Sequence, residues 1–581
     1  MLQREIICLP QDRIKHLPFG HNEYGSISGW LSDCMTNHLN QCPQAPIRTA
    51  SVVYCIDCAD ERVVPIPEHA TYLALSYVWG HTHTPEKDES FSKAPAVIKD
   101  AMRVTLRLHF RYLWVDRYCI DQHDANQKHQ QIANMGNIYA GATLTLIAAG
   151  STDPEIGLPG VSSCRCNLDA AFDLGPYSYV PLFGNPKAAI QSSKWSTRGW
   201  TYQEAVMSLR KLVFTSDGFY TQCNMQHSFG SSHPIDGQPI VAHKTNIIGI
   251  SVSTNGYERF DIAPTVVFPG SYSEKPIETT GDVLDEFFDH ISNYVRRDLS
   301  YESDRLNAIQ GVLNEYRANE DPVFQVFGLP LMPDKFLTIN SALFWRMENN
   351  RVRRQTDFPS WSWLGWQYND KIPDQPVVLC DLEDKAIHGR YSYHSFGPHI
   401  SLDEHSARIS VGFSGGGLLN LTEPHLFSNT LDMQLPREAR IMPHLVIRGV
   451  IFPLIFEEDG TDEWVRVGDP SRPFHRNSFW FTLKYRMWLD VPYSQEQDAF
   501  HRNQIKALVL GLAGAAIRVL IIRRDGNAWT RIGIAQYSCH RPLSNQFRAY
   551  HENQFIHAHR VVEKMYFKRL KGYRKRTIWL A

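Results

Sequence analysis

The sequence predicts an α/β protein: an open, mostly parallel sheet in its first half, then a helical segment, then a β-rich C-terminal region. Three observations carry this expectation. Strand, helix, strand, helix and strand patterns follow one another within about 80 residues from Tyr72. The last of those strands, Ala142-Thr-Leu-Thr-Leu-Ile-Ala148, is β-branched and apolar on both faces, as a central parallel strand is. From Pro359 onward the hydrophobic period is mostly two, punctuated by turn signals at Gly415-Gly-Gly417 and Asp525-Gly526.

Residues 1–66 are mixed in pattern and read as an N-terminal extension, with Cys55-Ile-Asp-Cys58 ahead of Pro65 and Pro67. The α/β domain is expected over 67–224. Tyr72-Leu-Ala-Leu-Ser-Tyr77 reads as its first strand, ending at Trp79-Gly80. Pro95 to His109 has helical spacing at Val97, Ile98, Met102 and Leu106, with a proline near its start, where the missing N–H costs nothing. Tyr112-Leu-Trp-Val-Asp116 is a second short strand, and Ala125 to Ala140 a second amphipathic helix. After the strand at 142–148 comes an insertion from Cys164 to Lys194. Arg198-Gly-Trp-Thr-Tyr-Gln-Glu204 then opens a short helix, and strands follow at 211–215 and 218–223. Residues 225–280 read as irregular, with amphipathic helices around 283–295 and 304–316, so 225–370 is an irregular and helical segment. Residues 371–581 form the β-rich region.

Composition narrows the function. With 43% hydrophobic and 21% charged residues the chain is ordinary globular protein, not a disordered or fibrous one. Fifty-nine Lys and Arg against sixty-one Asp and Glu leave a net charge of −2, so no nucleic-acid partner is expected. The eleven cysteines are odd in number and scattered, and no apolar signal segment precedes Pro10; a reduced, cytoplasmic protein is expected. The longest strictly apolar run, Ala507–Ile517, is eleven residues, too short to span a bilayer. Met135–Thr152 lacks charge but carries Asn137 and several Thr, and reads as a helix end leading into a core strand. No membrane span is expected.

Three blocks together resemble the fungal heterokaryon-incompatibility (HET) domain. Leu75-Ser-Tyr-Val-Trp-Gly80 resembles its LSYxWG block. Leu113-Trp-Val-Asp-Arg-Tyr-Cys-Ile-Asp-Gln122, with Met135, Ile138, Tyr139 and Ala142, resembles its WIDxxCINQ block and the helix after it. Arg198-Gly-Trp-Thr-Tyr-Gln-Glu204 resembles RxWTxQE. Two departures stand out: Asp121 replaces the usual Asn, and Asn126-Gln127-Lys128 replaces an acidic pair followed by Arg. Ser303-Asp-Arg-Leu-Asn-Ala-Ile309 and Pro359-Ser-Trp-Ser-Trp363 resemble blocks downstream of such domains, so the likeness touches residues 70–370. The resemblance implies a fungal cytosolic effector of cell death or growth inhibition on non-self recognition. It also implies a fold akin to the Toll/interleukin-receptor (TIR) and flavodoxin-like sheets. Some TIR domains hydrolyse NAD.

In open α/β sheets ligands sit beyond the carboxyl ends of the strands, which brings Ser76, Tyr77, Asp116 and the 198–204 turn to one crevice. Cleaving a nicotinamide–ribose bond passes through an oxocarbenium-like state and needs a carboxylate, aromatic surface and a cation. Glu204 and Asp116 supply carboxylates as candidate catalytic groups. Ser76, Tyr77, Trp79, Gly80, Arg198 and Trp200 are the candidate ligand-binding residues. Each has a plainer reading. Thr201-Tyr-Gln-Glu204 fits a capping box serving helix stability alone, Asp116 can satisfy loop amides, Arg198 can pair with Asp116, and the tryptophans can pack. Cys119 reads as a small buried hydrophobe.

Other motifs fail. Gly412-Phe-Ser-Gly-Gly416 fits G-x-S-x-G but leads into β-patterned sequence instead of a helix. Cys55-x-x-Cys58 and Cys164-x-Cys166 are half-sites without a second pair at finger spacing, so no metal and no cofactor is expected. Arg560–Arg576 holds eight Lys and Arg against Glu563, but interleaved aromatics make it a solvated face of a terminal helix or strand. Two functions remain: an effector that hydrolyses NAD or a related nucleotide, and a non-enzymatic module that binds a protein partner or a second copy of itself.

Overall fold

The alternating pattern that begins at Tyr72 folds as the centre of a nine-stranded sheet. The chain divides into two units, Met1–Pro276 with Arg297–Val312, and Ile277–Arg296 with Leu313–Ala581. In the first, the computed structural model describes residues 6–10, 21–40, 42, 54–80, 91–122, 124–162, 172–174, 177–181, 186–216, 218–231, 240–243 and 297–312. In the second it describes 280–296, 313–318, 322–332, 339–347, 352–368, 377–379, 406–414, 416–422, 441–453, 483–489, 499, 502, 504–513, 516–539 and 574–581.

The first unit begins with β1 (Ile6–Pro10) and α1 (His21–Asn37), then the hairpin β2 (Tyr54–Asp57) and β3 (Arg62–Pro65). The α/β alternation follows: β4 (Tyr72–Ser76), α2 (Ala96–Arg107), β5 (Tyr112–Trp114), α3 (Asp116–Cys119), α4 (Ala125–Ala133), α5 (Met135–Gly141) and β6 (Leu144–Ala148). Next come β7 (Phe172–Leu174), β8 (Tyr177–Pro181), α6 (Pro186–Gln191), α7 (Gly199–Met207) and β9 (Lys211–Phe214). The strands β10 (Gly218–Gln222), β11 (Gln226–Ser231) and β12 (Ile240–His243) complete the sheet.

The sheet order is β12-β11-β10-β9-β6-β4-β5-β2-β3. Only β5, β4, β6 and β9 are mutually parallel. The strands on either side run antiparallel as hairpin extensions. The sheet is therefore mixed instead of mostly parallel: β10 returns from β9 through a short turn that permits only antiparallel pairing, and the β2–β3 hairpin that precedes the core adds antiparallel to β5. The core strands behave as the apolar patterning requires: every residue of β4 and β6 is buried.

The local signals work as expected in α2 and at the start of α4. Val97, Ile98, Ala101 and Val104 bury one stripe of α2, and His109 just beyond it takes the left-handed φ of 64°. Asp124 caps α4 by accepting from the Asn126 and Gln127 amides, both at 3.0 Å. The helix expected over 125–140 is two helices, broken at Asn134 (φ −99°, ψ 4°). Regular elements also lie where the sequence looked mixed or irregular. α1 buries Tyr24, Ile27, Trp30, Leu31 and Cys34 at three- and four-residue spacing, and β11 and β12 occupy part of 225–280. A separate three-stranded sheet, β1-β8-β7, uses part of the 164–194 insertion; Cys164 and Cys166 lie outside the described residues.

The second unit starts with α8 (Thr280–Tyr294), where a helix was expected, and its main sheet has eight strands. Ala507–Ile517, the apolar run, lies across the hairpin Ile505–Ala513 and Ala516–Asp525. The Asp525-Gly526 turn forms with Gly526 at φ 58°. Gly412-Phe413-Ser414 leaves a strand and returns through a turn to Leu418–Asn420, so no nucleophile elbow exists there. Arg574–Leu580 is a strand paired with Ile441–Pro453; residues 560–573 of the basic stretch lie outside the described residues. The Pro359-Ser-Trp-Ser-Trp363 block is core. Trp361, Trp363 and Trp366 are fully buried, and their indoles donate to the carbonyls of Pro443, Gly328 and Ser360 at 3.2, 2.9 and 2.7 Å. Among the described residues no helix is long and apolar enough to cross a membrane.

Candidate functional site

Three sequence-distant blocks converge at the carboxyl end of β4. Alternation along the strand turns Tyr72 and Ser76 to the same face, the face on which α5 and α7 lie. There the Tyr72 hydroxyl donates to the Ile138 carbonyl at 2.6 Å, and Tyr139 of α5 donates to the Leu75 carbonyl at 3.1 Å. Ser76, fully buried, donates its hydroxyl hydrogen to Glu204 of α7 and accepts from the indole N–H of Trp195 at 2.7 Å. Trp195 is itself wholly buried, packed with Val78, Ile147, Ile190 and Val213.

Glu204 does not close a capping box. α7 starts at Gly199, with Arg198 in the cap position and no side-chain cap bond. Thr201 instead donates to the carbonyls of Trp195 and Arg198 at 2.7 and 2.8 Å. Glu204, one and a half turns into the helix, points at the sheet and is 4% exposed. Burial pushes its carboxyl up to about 7, and the charge of Asp116 adds to this; hydrogen bonds from Ser76 and Tyr139 and the charge of Arg198 pull the other way. Burial likewise lifts Asp116 to about 6 against its hydrogen bonds and the charges of Arg198 and Arg117.

Asp116 sits at the start of α3, just past β5. It accepts from the Arg117 amide at 2.7 Å and from the Trp79 indole at 2.9 Å. Trp79 is 40% exposed, with the Arg117 guanidinium 5.6 Å above its ring. Tyr77 is buried beside Asp116, Arg117 and Tyr118, and burial raises its hydroxyl well above the ordinary range. Gly80 is half-buried at the end of this turn. Arg198 donates to the Tyr77 carbonyl at 3.0 Å, so it ties the turn after β4 to α7 instead of pairing with Asp116. Trp200 turns away, its indole donating to Asp304 at 3.3 Å.

The candidate residues thus fall into three sets. Ser76 and Glu204 form one buried pair; Trp79 and Asp116 form a more exposed one; Arg198 lies between them electrostatically. Two carboxyls with values near 6 and 7 beside one arginine can hold and pass a proton near neutral pH. Sequence reading missed two participants. Trp195 precedes the recognised block and has no spacing signal. Gln203, inside that block, accepts from the Gly311 amide at 2.6 Å and so anchors α7 to α9 (Asn307–Glu315). At the same crossing a Cβ on Gly136 would lie 3.0 Å from the Gly311 Cα, so α5 and α9 meet through two glycines.

Residues 72–204, from the first parallel strand to Glu204, match the family described as heterokaryon incompatibility protein (HET). The chain is 30% identical over 184 residues to heterokaryon incompatibility protein 6, OR allele, of Neurospora crassa. That likeness covers 28% of this chain and 25% of the relative, so the chain spans about a quarter of the length of the relative it matches. No solved structure matches the chain. The three blocks that meet at Ser76 and Glu204 all lie within the matched stretch, and the similarity to the HET family belongs to residues 72–204.

Proposed function

We propose that this chain is an incompatibility effector whose HET domain triggers cell death or growth inhibition on non-self recognition, by cleaving the nicotinamide–ribose bond of NAD or a related nucleotide. The observation that carries the reading is Glu204: a carboxyl lifted to about 7 at the carboxyl end of β4, beside Asp116 and Arg198. The parallel order β5-β4-β6-β9 puts that end at the point where the chain reverses direction across the sheet, the usual place for a ligand in a flavodoxin-like fold. It supports the TIR-like expectation for the same reason.

In this reading Glu204 stabilises the developing oxocarbenium ion and Asp116 holds the ribose or the attacking water. Trp79 offers ring surface to the departing nicotinamide, and Arg198 and the Gly80 turn face the phosphates. The burial of Glu204 beneath Trp195 favours a second reading in which the three blocks build one rigid surface for a protein partner or a second copy. In the enzyme reading, self-association opens the Ser76–Glu204 pair to the nucleotide.

The full chain, dilute and concentrated, is assayed for NAD loss and nicotinamide release, alongside Glu204→Gln. The hydrolase reading expects turnover that rises with concentration and disappears in Glu204→Gln while the melting temperature is kept. Absence of turnover in every state, with concentration-dependent association intact, favours the binding module.

A further inference from the structure

Four thiol and imidazole groups outside the Ser76–Glu204 site converge on one point. α1 delivers Cys34, and the chain continues its helical hydrogen bonding past the helix end: His38 N–H to the Cys34 carbonyl at 3.3 Å, Cys42 N–H to the His38 carbonyl at 2.6 Å. Cys34, His38 and Cys42 are thus four residues apart and share a face. Cys223, immediately after β10, comes from the hairpin with β11, closed by its amide to the Gln226 carbonyl at 2.9 Å. The ligand atoms of all four lie within 4.8 Å of one another. The three cysteines are buried thiols and not disulfide partners.

The chemistry matches a closed tetrahedral site. Zinc about 2.3 Å from sulfur and about 2.1 Å from nitrogen sets a tetrahedral S–N edge near 3.6 Å. The Cys223 sulfur is 3.6 Å from His38 Nδ1. The other ring nitrogen of His38 faces Asp33 at 3.8 Å, and Asp33 accepts from Asn37 at 2.6 Å. A carboxylate on the far side of the imidazole favours the tautomer that leaves Nδ1 as the ligand. Three thiolates and one imidazole around a divalent ion carry one excess negative charge, and the buried cation Arg210 balances it. Arg210 donates to the Cys34 sulfur at 3.1 Å and to the Cys42 carbonyl at 3.2 Å. A set of soft thiolates with one imidazole selects zinc over the hard cations.

We propose that Cys34, His38, Cys42 and Cys223 bind one structural zinc ion that staples the N-terminal helix to the β10–β11 hairpin of the HET sheet. The site is closed, with four protein ligands and no position for substrate, so the ion serves folding and not the chemistry at Glu204. It is independent of the nucleotide reading and stands whether or not NAD is cleaved.

The full chain, purified under reductant after growth with zinc, is analysed for bound metal by mass spectrometry. The expectation is about one zinc ion per chain, lost at least tenfold in Cys34→Ser and Cys223→Ser but kept in Cys55→Ala. Should the serine variants not fold, the wild-type chain is titrated with an organomercurial, and zinc release tracks modification of three thiols. Exchange for Co²⁺ gives the thiolate charge-transfer and strong visible bands of a tetrahedral site, and His38→Cys keeps the metal while shifting those bands. A folded wild-type chain that binds no zinc or cobalt overturns the proposal. So does a native disulfide joining any two of the three cysteines, or a metal content unaffected by both serine variants.

Discussion

The Ser76 hydroxyl, last in β4, donates to the Glu204 carboxylate, which lies 128 residues further along the chain in α7. Both are buried, and the Trp195 indole closes the pair from outside. The consequences of that arrangement are measurable whether the site cleaves a nucleotide or only locks the domain.

Stability should fall as pH rises through the acid range. Glu204 moves from an ordinary 4.5 to about 7 in the fold, and Asp116 from 3.8 to about 6. Between the unfolded and folded values the native state holds a proton that the unfolded chain has lost, so the stabilisation from Glu204 is complete below about 4.5 and lost by about 7, and that from Asp116 is complete below about 3.8 and lost by about 6. For Glu204 the loss exceeds about 3 kcal/mol, taking about 1.36 kcal/mol per unit between 4.5 and about 7. Urea melts at stepped pH are the check. Glu204→Gln should abolish the decline between about pH 6 and 7 and make it shallower between about 4.5 and 6, leaving the share that belongs to Asp116.

Trp79→Phe should raise the Asp116 carboxyl above about 6. The indole N–H donates to Asp116 at 2.9 Å and stabilises its ionised form, and phenylalanine keeps the ring but not the donor. With Trp79 40% exposed, the global cost should stay under about 1 kcal/mol. Carboxyl ¹³C shifts followed against pH read the change directly, and a downward shift would count against the hydrogen bond.

Gly311→Ala should destabilise the first unit. A Cβ there would lie 2.6 Å from the Gln203 side-chain oxygen and 3.0 Å from the Gly136 Cα. The oxygen is held by the Gly311 amide and the Cα is backbone, so neither gives way easily. Alanine gains about 1 kcal/mol of helix propensity, but overpacking costs about 1–3 kcal/mol. Losing the Gln203 bond adds to that cost. A melting temperature several degrees lower is expected, and an unchanged one would show that α5 and α9 can separate freely.

Arg210→Met should cost about 3 kcal/mol or more, because three acceptors lose a buried guanidinium: the Cys34 sulfur and the carbonyls of Cys42 and Thr143. Arg210→Lys should recover only part of this, since an ammonium cannot span the fork. Chemical denaturation of both variants separates the outcomes. Equal stability of wild type and Arg210→Met would remove Arg210 as the charge that supports the thiols.

Much of this protein was legible in local spacing. Period-two and period-3.6 patterns placed β4, α2, β5, β6, β9 and β10, and the three family blocks named the residues that meet at Glu204. Local patterns determine such elements because propensity, capping and side-chain alternation act over a few residues. The α1 stripe of Tyr24, Ile27, Trp30 and Leu31 obeyed the same rule and was readable, but the mixed sequence around it hid the period. Tertiary structure alone decided the rest. Thr201 and Glu204 have the spacing of a capping box, yet the helix begins two residues before Thr201 and the carboxylate finds a better partner on another element. Trp195 closes the pair with no motif of its own. Cys34, His38 and Cys42 have regular spacing, but only the fold brings Cys223 to them across 185 residues from His38. Contacts of that separation depend on how strands are ordered in a sheet, and strand order is set by collective packing that no short window of sequence contains.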